Sequence, residues 1–291
     1  MTTEERSRVS AVVITHDRAV ELCRTLANLR LLEPRPPVVV VDNASGDGTA
    51  DVVRASYPEV TLVRNPSNTG CAARNLGVAH TSTPYVAFCD DDSWWTGDSL
   101  EAAADAFEAH PRLGLVAAAV LVGGEERADP VNAELIDSPL PPAEDLPGPR
   151  VLGFLACACV VRRTAFDEAG GFEPLLFFGG EEALLAQDLA ARGWGLCHLS
   201  RIHAHHHPSQ ARPPSEWRRT LEERNALLTA WMRRGPKAVL SSTAHTAGRA
   251  VRDPCARRAL RTAVAMLPEV WASRRRVPAA VERDLELLER A

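Results

Sequence analysis

The feature that most constrains the fold is an alternation of short apolar runs with helix-like segments near the start of the chain. The runs are VSAVVIT, VVVVD, VTLVRN and YVAFCD, at residues 9–15, 38–42, 60–65 and 85–90. The intervening segments, such as RAVELCRTLANLRLL, space their apolar residues as an amphipathic helix does. Apolar strands alternating with helices are typical of a parallel sheet covered on both faces. We therefore predict an α/β, Rossmann-like fold with a mostly parallel sheet flanked by helices.

Each predicted strand ends in a polar loop. The four loops read THDR, DNASGDGT, NPSNTGCAARNLG and DDDSWW. In open α/β sheets, ligands bind in the crevice at the carboxyl ends of the strands. We therefore expect these four loops to line one site at one edge of the sheet.

The middle of the chain is less regular. Residues 125–150 are rich in Pro and acidic side chains, and we expect them to form a long loop. One further strand is expected in FLACACVVRR, at 154–163, and another at about 194–203, just before HAHHHPS. No internal repeat is visible.

The last part of the chain has a helical pattern from about residue 215 onward. We therefore expect a main domain at residues 1–212 and a C-terminal helical extension at 213–291. The arginine clusters RRAL and SRRRV in this extension leave two interpretations open. They could contact an anionic membrane surface, or they could be solvated arginines on a packed appendage or a homodimer contact.

Composition excludes several classes of protein. The formal net charge of −5 gives no reason to expect nucleic acid as a partner. Seven cysteines, an odd number and mostly within apolar runs, indicate reduced thiols rather than a disulfide framework. The start MTTEERSRVS lacks the apolar segment of a secretory signal, and no apolar run is long enough to span a membrane. We expect a cytoplasmic protein, with peripheral contact at the inner membrane face as an open alternative.

The triplet Asp90 to Asp92 follows a strand that reads as buried. Three adjacent carboxylates repel one another, so they need either solvent or a cation. Carboxylate oxygens are the ligands that Mg²⁺ and Mn²⁺ prefer. The pattern favours a divalent metal site over a solvated acidic turn.

Three other motifs each allow a structural and a functional interpretation. Asp42 either belongs to a simple turn or accepts a hydrogen bond from a bound base. Arg74 follows small residues at a strand-to-helix turn, an arrangement that suits a diphosphate, although no Walker or dinucleotide fingerprint is present. Glu181 and Glu182 either favour a helix dipole or supply a general base.

The run HAHHHPS places four histidines within five positions. They are His203, His205, His206 and His207. One imidazole is expected to be a ligand, and a zinc site with Cys197 and His198 nearby stays open without support from a Cys-x-x-Cys pair. Cys157 and Cys159 are expected in the core.

Taken in order, the motifs resemble those of the family-2 glycosyltransferases. The succession is VVITHDR, VVDNASGDGT, NTGCAARNLG, FCDDD, AGGF, GGEE…DLAARGW and HHHPS, and it spans roughly residues 9–230. The resemblance implies a GT-A fold and an inverting enzyme that uses a nucleotide sugar. ERN, at Glu223 to Asn225, also looks like a family feature, without an assigned role.

The resemblance also implies a role for each matching residue. The nucleotide-binding residues would be Thr15, Asp17, Arg18, Asp42, Arg74, Asp90 and Asp91; the metal ligands Asp92, Asp90 and His206; and the catalytic base Glu182, with Glu181 as the alternative. Asp42 would bind the base, uracil or thymine, and the metal would be Mn²⁺ or Mg²⁺. The pair here is Glu-Glu, whereas the family's second acid is usually Asp, so the identity of the base stays open between the two.

The reaction that the resemblance implies is transfer of a sugar from a UDP- or dTDP-sugar to an acceptor hydroxyl. A carboxylate would take the proton of that hydroxyl, and metal and Arg would stabilise the leaving diphosphate. The acceptor stays open among a glycan, a lipid-linked sugar and a small metabolite. Two alternatives are a nucleotidyltransferase, against which the missing GxGxR loop argues, and a non-catalytic protein that binds nucleotide sugars.

Overall fold

The computed structural model describes residues 7–209 and 214–291, and in that part helices surround a nine-stranded sheet. The strands are β1 (Val9–Thr15), β2 (Val38–Asp42), β3 (Thr61–Arg64), β4 (Tyr85–Asp90), β5 (Ser93–Trp95), β6 (Leu113–Val122), β7 (Arg127–Ala128), β8 (Cys159–Arg162) and β9 (Gly195–His206). The α-helices are α1 (Ala19–Leu29), α2 (Thr49–Ser56), α3 (Ala73–Ala79), α4 (Ser99–Ala109), α5 (Val131–Ile136), α6 (Arg163–Ala169), α7 (Glu181–Ala191), α8 (Ser215–Arg233), α9 (Pro236–Ala250), α10 (Pro254–Ala265), α11 (Leu267–Ala272) and α12 (Ala279–Leu288).

The sheet has the strand order β3-β2-β1-β4-β8-β6-β9-β5, and β7 pairs with β6. The first four strands in this order run parallel, as the alternation of strands and helices predicts. Beyond β4 the pairing is mixed, because β8 is antiparallel to both β4 and β6 while β6 and β9 are parallel. The predicted α/β fold is therefore confirmed, with its parallel part in the half that carries the polar loops.

Alternate residues of β1 face opposite layers of helices. Val9, Ala11 and Val13 belong to one buried apolar cluster, and Val12 belongs to another on the other side of the sheet. Side chains of a strand alternate between the two faces, so a strand that is apolar at every position must be covered on both. This burial explains why β1 reads as continuously hydrophobic.

Some predicted element bounds need correction. Residues 125–150 are not one long loop, since β7 and α5 lie within them. Asn132 of α5 bonds through its amide to both the N–H and the C=O of Val120 on β6, and Leu135 is buried. These long-range contacts stabilise a short helix that its local composition does not indicate.

The strand predicted at 154–163 is also shorter than expected. Ala156–Ala158 forms a single 3-10 turn, and only Cys159–Arg162 pairs in the sheet. A continuous apolar run does not distinguish a strand from a buried turn. The strand expected at about 194–203 instead continues to His206, because β6 and β5 both pair with its end.

The seven cysteines are all free thiols, and Cys157 and Cys159 lie in the core as expected. Within the described ranges, no helix is long and apolar enough to cross a membrane.

The C-terminal extension consists of α8 to α12. Leu227 and Leu228 of α8 pack in one apolar cluster with Leu184 of α7 and with Leu176, which precedes it. The domain boundary expected between residues 212 and 213 lies outside the described residues.

Candidate active site

Four strand ends bring the polar loops to one edge of the sheet. Thr15 at the end of β1 pairs in register with Asp42 at the end of β2, and Asp42 pairs with Arg64 of β3. On the other side of β1, Ile14 pairs with Asp90 of β4. The parallel arrangement therefore assembles the predicted crevice from loops that are far apart in the chain.

Asp91 points back toward the loop after β1. Thr15 donates a hydrogen bond to its Oδ2 at 3.1 Å, and Arg18 donates to its Oδ1 at 3.1 Å. Burial raises the pKa of Asp91 to about 7, while the nearby Arg18 guanidinium lowers it. Asp91 therefore holds Thr15 and Arg18 in the site rather than facing solvent.

Asp92 lies against the end of β9. Its Oδ1 is 3.5 Å from Nε2 of His206, and its Oδ2 accepts a hydrogen bond from the Ser209 N–H at 3.0 Å. Burial opposes ionisation of Asp92, but the contacts with His206 and Ser209 outweigh it, and the pKa of this carboxyl is lowered. Asp92 therefore carries a negative charge beside an imidazole.

Asp90 turns in a third direction, toward Arg74 of α3. The Arg74 Nη2 donates to Asp90 Oδ1, and the guanidinium lies 5.4 Å from the centre of the Phe172 ring. Arg74 is almost fully buried, and its Nε and Nη1 have no hydrogen-bond partner among the described residues. The three aspartates thus tolerate one another because each has its own hydrogen-bond donors and because Arg18 lies close to both Asp91 and Asp92.

Asp42 is fully buried at the end of β2. Its Oδ1 accepts from the Ser45 N–H at 2.9 Å and its Oδ2 from Arg64 Nε at 3.1 Å. A carboxylate has about four acceptor positions, so capacity for a ligand N–H remains. Asp17, which has a left-handed backbone with φ of 53°, accepts from the Gly46 N–H at 2.7 Å and joins the first two loops.

Asn43, which no sequence motif indicated, connects the second and third loops. Its Nδ2 donates to Asn68 Oδ1 at 2.9 Å and to the Gly70 carbonyl at 3.1 Å. Its Oδ1 accepts from Asn65 Nδ2 and from the Thr69 N–H, both at 3.0 Å. The only local signal is the run of Asn residues after β2 and β3, which on its own resembles ordinary turn chemistry.

Glu181 and Glu182 form the first turn of α7, after Gly180 with φ of 85°. Glu181 is buried, and its Oε2 has no hydrogen-bond partner in the described part of the chain. Burial, reinforced by the neighbouring Glu181, raises the pKa of Glu182 well above its usual range, and Arg74 opposes this shift. Glu181 and Glu182 therefore interact electrostatically with Arg74, as Asp90 does.

Of the four histidines in the run HAHHHPS, His206 is the one whose ring contacts an aspartate of the triplet. His205 stacks on Trp94 with ring centres 5.9 Å apart, and the His207 ring lies 4.7 Å from the same indole. His198 is buried, with Nδ1 3.0 Å from the Ala117 carbonyl. These contacts distinguish His206 from the other histidines of the run. The sequence alone left open which of them lies at the triplet.

The donor set at Asp92 and His206 fits a divalent cation that keeps other positions for phosphate oxygens and water, as Mg²⁺ does. Over residues 7–209 and 214–291, no three His, Cys, Asp or Glu side chains form a complete metal site. Asp90 is turned away from Asp92 toward Arg74. Asp92 and His206 could therefore supply two ligands, with the remaining positions of a metal left to oxygens of a bound molecule or of water.

Comparison with known proteins identifies a family and a fold. A family model described as glycosyl transferase family 2 matches residues 10–170. An N-acetylglucosaminyl-diphospho-decaprenol L-rhamnosyltransferase of Mycobacterium tuberculosis is 26% identical over 238 residues, which cover 69% of this chain and 76% of that protein. Relatives named as glycosyltransferases favour that class over a nucleotidyltransferase.

Two solved structures share the fold. The mannosyltransferase PcManGT from Pyrobaculum calidifontis, in complex with GDP-Man and Mn²⁺, superposes with a TM-score of 0.61 and 20% identity over 98% of this chain and 86% of its own. TarS 1–349 of S. aureus, in complex with UDP, superposes with a TM-score of 0.55 and 16% identity over 76% of this chain and 71% of its own. The similarity extends the GT-A architecture to this chain.

Proposed function

We propose that this chain, which belongs to glycosyl transferase family 2, is an inverting sugar transferase. It would move a sugar from a UDP- or dTDP-linked donor to an acceptor hydroxyl, with inversion at the anomeric carbon. The observation that carries this proposal is the position of Arg74 between two acidic groups. It donates to Asp90 of the triplet and lies in the electrostatic field of Glu181 and Glu182. The region proposed for metal and phosphate and the region proposed for the general base would thus adjoin one buried cation, Arg74.

The nucleotide half of the donor would occupy the loops after β1 and β2. Asp42 would accept the N3–H of uracil or thymine, which is a single donor between two carbonyl groups. Thr15, Asp17 and Arg18 would line the same pocket. The fixed position of Asp42, tied to Ser45 and Arg64, supports this assignment.

Asp92 and His206 would hold the Mn²⁺ or Mg²⁺ ion, while Asp90 pairs with Arg74 and Asp91 holds Thr15 and Arg18. When bound, the ion would offset the charge that develops on the departing diphosphate. Arg74 would add a second positive charge on the same side. Its Nε and Nη1, which have no hydrogen-bond partner in the described structure, support a role toward an anionic ligand.

Glu182 would act as the general base. Its carboxylate takes the proton of the acceptor hydroxyl while the hydroxyl oxygen bonds to the anomeric carbon. The bond from that carbon to the diphosphate oxygen breaks, and its electron pair leaves with the nucleoside diphosphate. A raised pKa suits a base that works near neutral pH. Attack opposite the leaving group inverts the anomeric configuration.

The relatives suggest candidates for donor and acceptor. The mycobacterial relative is named for L-rhamnosyl transfer to a decaprenol-linked sugar, which makes dTDP-L-rhamnose and a lipid-linked acceptor the first candidates here. The archaeal structure holds GDP-Man, so a guanine nucleotide belongs in any panel of ligands.

A thermal-shift panel of UDP, dTDP, GDP and their sugars, with and without Mn²⁺, tests this proposal. A ligand that binds the folded state raises its melting temperature by mass action. We expect stabilisation by UDP or dTDP that needs Mn²⁺ and disappears in Asp92→Asn. Stabilisation by GDP alone would reject uracil or thymine as the nucleobase of the donor. No shift in melting temperature with any nucleotide would reject the transferase proposal.

A further inference from the structure

The segment just before α7 has an unusual backbone. Within Leu176 to Gly180, Phe177, Gly179 and Gly180 have positive φ angles of 62°, 84° and 85°. A positive φ is uncommon for a bulky residue such as Phe and persists only where neighbouring structure holds it. This segment, which we call the base loop, leads directly into α7, whose first two residues are Glu181 and Glu182.

Asn225 of α8 holds the base loop from one side. Its Nδ2 lies 2.8 Å from the Leu176 carbonyl oxygen, 2.9 Å from that of Phe178 and 2.5 Å from that of Gly179. An amide nitrogen has two N–H groups, so the three carbonyl oxygens are enough to accept both of them. Asn225 is fully buried, and the Phe178 and Gly179 carbonyl groups would lose this donor if the amide were removed.

Arg224 orients that amide. Its Nε and Nη2 donate to the Asn225 Oδ1 at 2.9 and 2.7 Å, and Nη2 also donates to the Leu176 carbonyl at 2.7 Å. With its oxygen occupied by Arg224, the Asn225 amide can only present N–H groups to the loop. The two residues therefore act together on one peptide segment.

The base loop is held from the other side by the turn before α3. The Cys71 N–H donates to the Phe177 carbonyl at 2.7 Å. A Cβ at Gly70 would lie 2.0 Å from that carbonyl oxygen, so only glycine allows this approach. The loop is thus fixed between the segment that carries Arg74 and the C-terminal extension.

We propose that Asn225, oriented by Arg224, is a positioning residue for the transfer reaction. It fixes the base loop so that α7 begins at Glu181 and Glu182 faces the acceptor hydroxyl. This inference rests on the proposed role of Glu182 as general base. It gives ERN a function and makes α8 part of the catalytic unit.

Asn225→Ala and Asn225→Asp test the inference, with Thr243→Val as the matched control. In Asn225→Asp, one carboxylate oxygen can still accept from Arg224. The other oxygen replaces the NH₂ group and faces the loop carbonyls, to which it cannot donate, so the contact is not restored. Thr243 accepts a hydrogen bond from Trp231 Nε1 at 2.8 Å, and its replacement removes a contact in the same extension. The readouts are hydrogen exchange of peptides covering 176–185, and release of nucleoside diphosphate from UDP-GlcNAc, dTDP-L-rhamnose and GDP-mannose with water as acceptor.

We expect both Asn225 variants to speed exchange at 176–185 and to lower kcat by roughly 10- to 100-fold, since small displacements of a reacting group have effects of that size. The donor KM should change less than about threefold, and Thr243→Val should match the wild type in both readouts. Unchanged exchange in Asn225→Ala overturns the inference even if no donor is turned over. Full kcat in Asn225→Asp also overturns it. Loss of turnover in Asn225→Ala with full turnover in Glu182→Gln would reject Glu182 as the base while the loop contact stands.

Discussion

Arg74 Nη2 donates a hydrogen bond to Oδ1 of Asp90, so the first aspartate of the triplet is paired with a cation from the chain itself. Arg74 is almost fully buried, whereas the Asp90 side chain is 37% exposed. Burial is the largest single effect and lowers the pKa of the Arg74 guanidinium, but Asp90 together with Cys71, Glu181 and Glu182 outweighs it, and the pKa is raised. The same cation lowers the pKa of Glu182, which joins the two acidic parts of the site.

Replacing Arg74 should change the pH dependence of the reaction. In Arg74→Met, Glu182 loses a positive neighbour and its pKa rises further. The base is active when ionised, so activity is lost as pH falls through this pKa, and the acidic limb of kcat/KM against pH should move to higher pH. Arg30→Met, which removes an exposed ion pair with Glu59, is the control and should leave the profile unchanged. An identical acidic limb in Arg74→Met would contradict the proposed coupling.

Replacing Asn43 should lower the free energy of unfolding, although no local sequence pattern indicates this. Asn43→Ala leaves the Gly70 carbonyl and the Thr69 N–H without their partner in a partly buried site. A loss of about 2–3 kcal/mol in the free energy of unfolding is expected for such unsatisfied groups. Urea denaturation measures it, and Asn28→Ala, at a half-buried position whose amide makes one solvent-exposed hydrogen bond to the Arg24 carbonyl, should differ from wild type by less than about 0.5 kcal/mol. A similar small change in both variants would show that the loops do not depend on Asn43.

Asp42→Asn tests the base-binding role. An amide can still accept from the Ser45 N–H, but its NH₂ group would oppose both Arg64 and the N3–H of a pyrimidine. We expect the dissociation constant for UDP or dTDP to rise about tenfold, as for loss of one hydrogen bond to a charged group. Isothermal titration with Mn²⁺ present gives this constant. Unchanged affinity would remove Asp42 from the nucleotide site.

The parallel half of the fold could be predicted because its strands are buried on both faces and therefore apolar throughout. The bounds of β1 and β4 agree with the runs at 9–15 and 85–90. The antiparallel pairing of β8 could not be predicted, because strand direction depends on how the chain returns to the sheet. The short helix at 131–136 depends on contacts with β6 that local sequence does not record.

The candidate site, like the fold, could be predicted from the sequence only in part. The motifs indicated the residues at the strand ends, because polar loops after buried strands meet at one edge of a parallel sheet. Individual partners, such as Arg18 with Asp91 or Asn225 with the base loop, depend on side-chain directions set by tertiary packing. Motifs therefore indicate where a candidate site lies, and the structure adds the contacts among its residues.

Turnover of a nucleotide sugar by Glu182→Gln tests the central claim most directly. The variant keeps the shape of the side chain but cannot accept the acceptor's proton, so we expect release of nucleoside diphosphate to fall at least 100-fold while Mn²⁺-dependent nucleotide binding is retained. Glu181→Gln should keep most of the activity. Full turnover in Glu182→Gln, or its loss in Glu181→Gln alone, would contradict the assignment of Glu182 as the base.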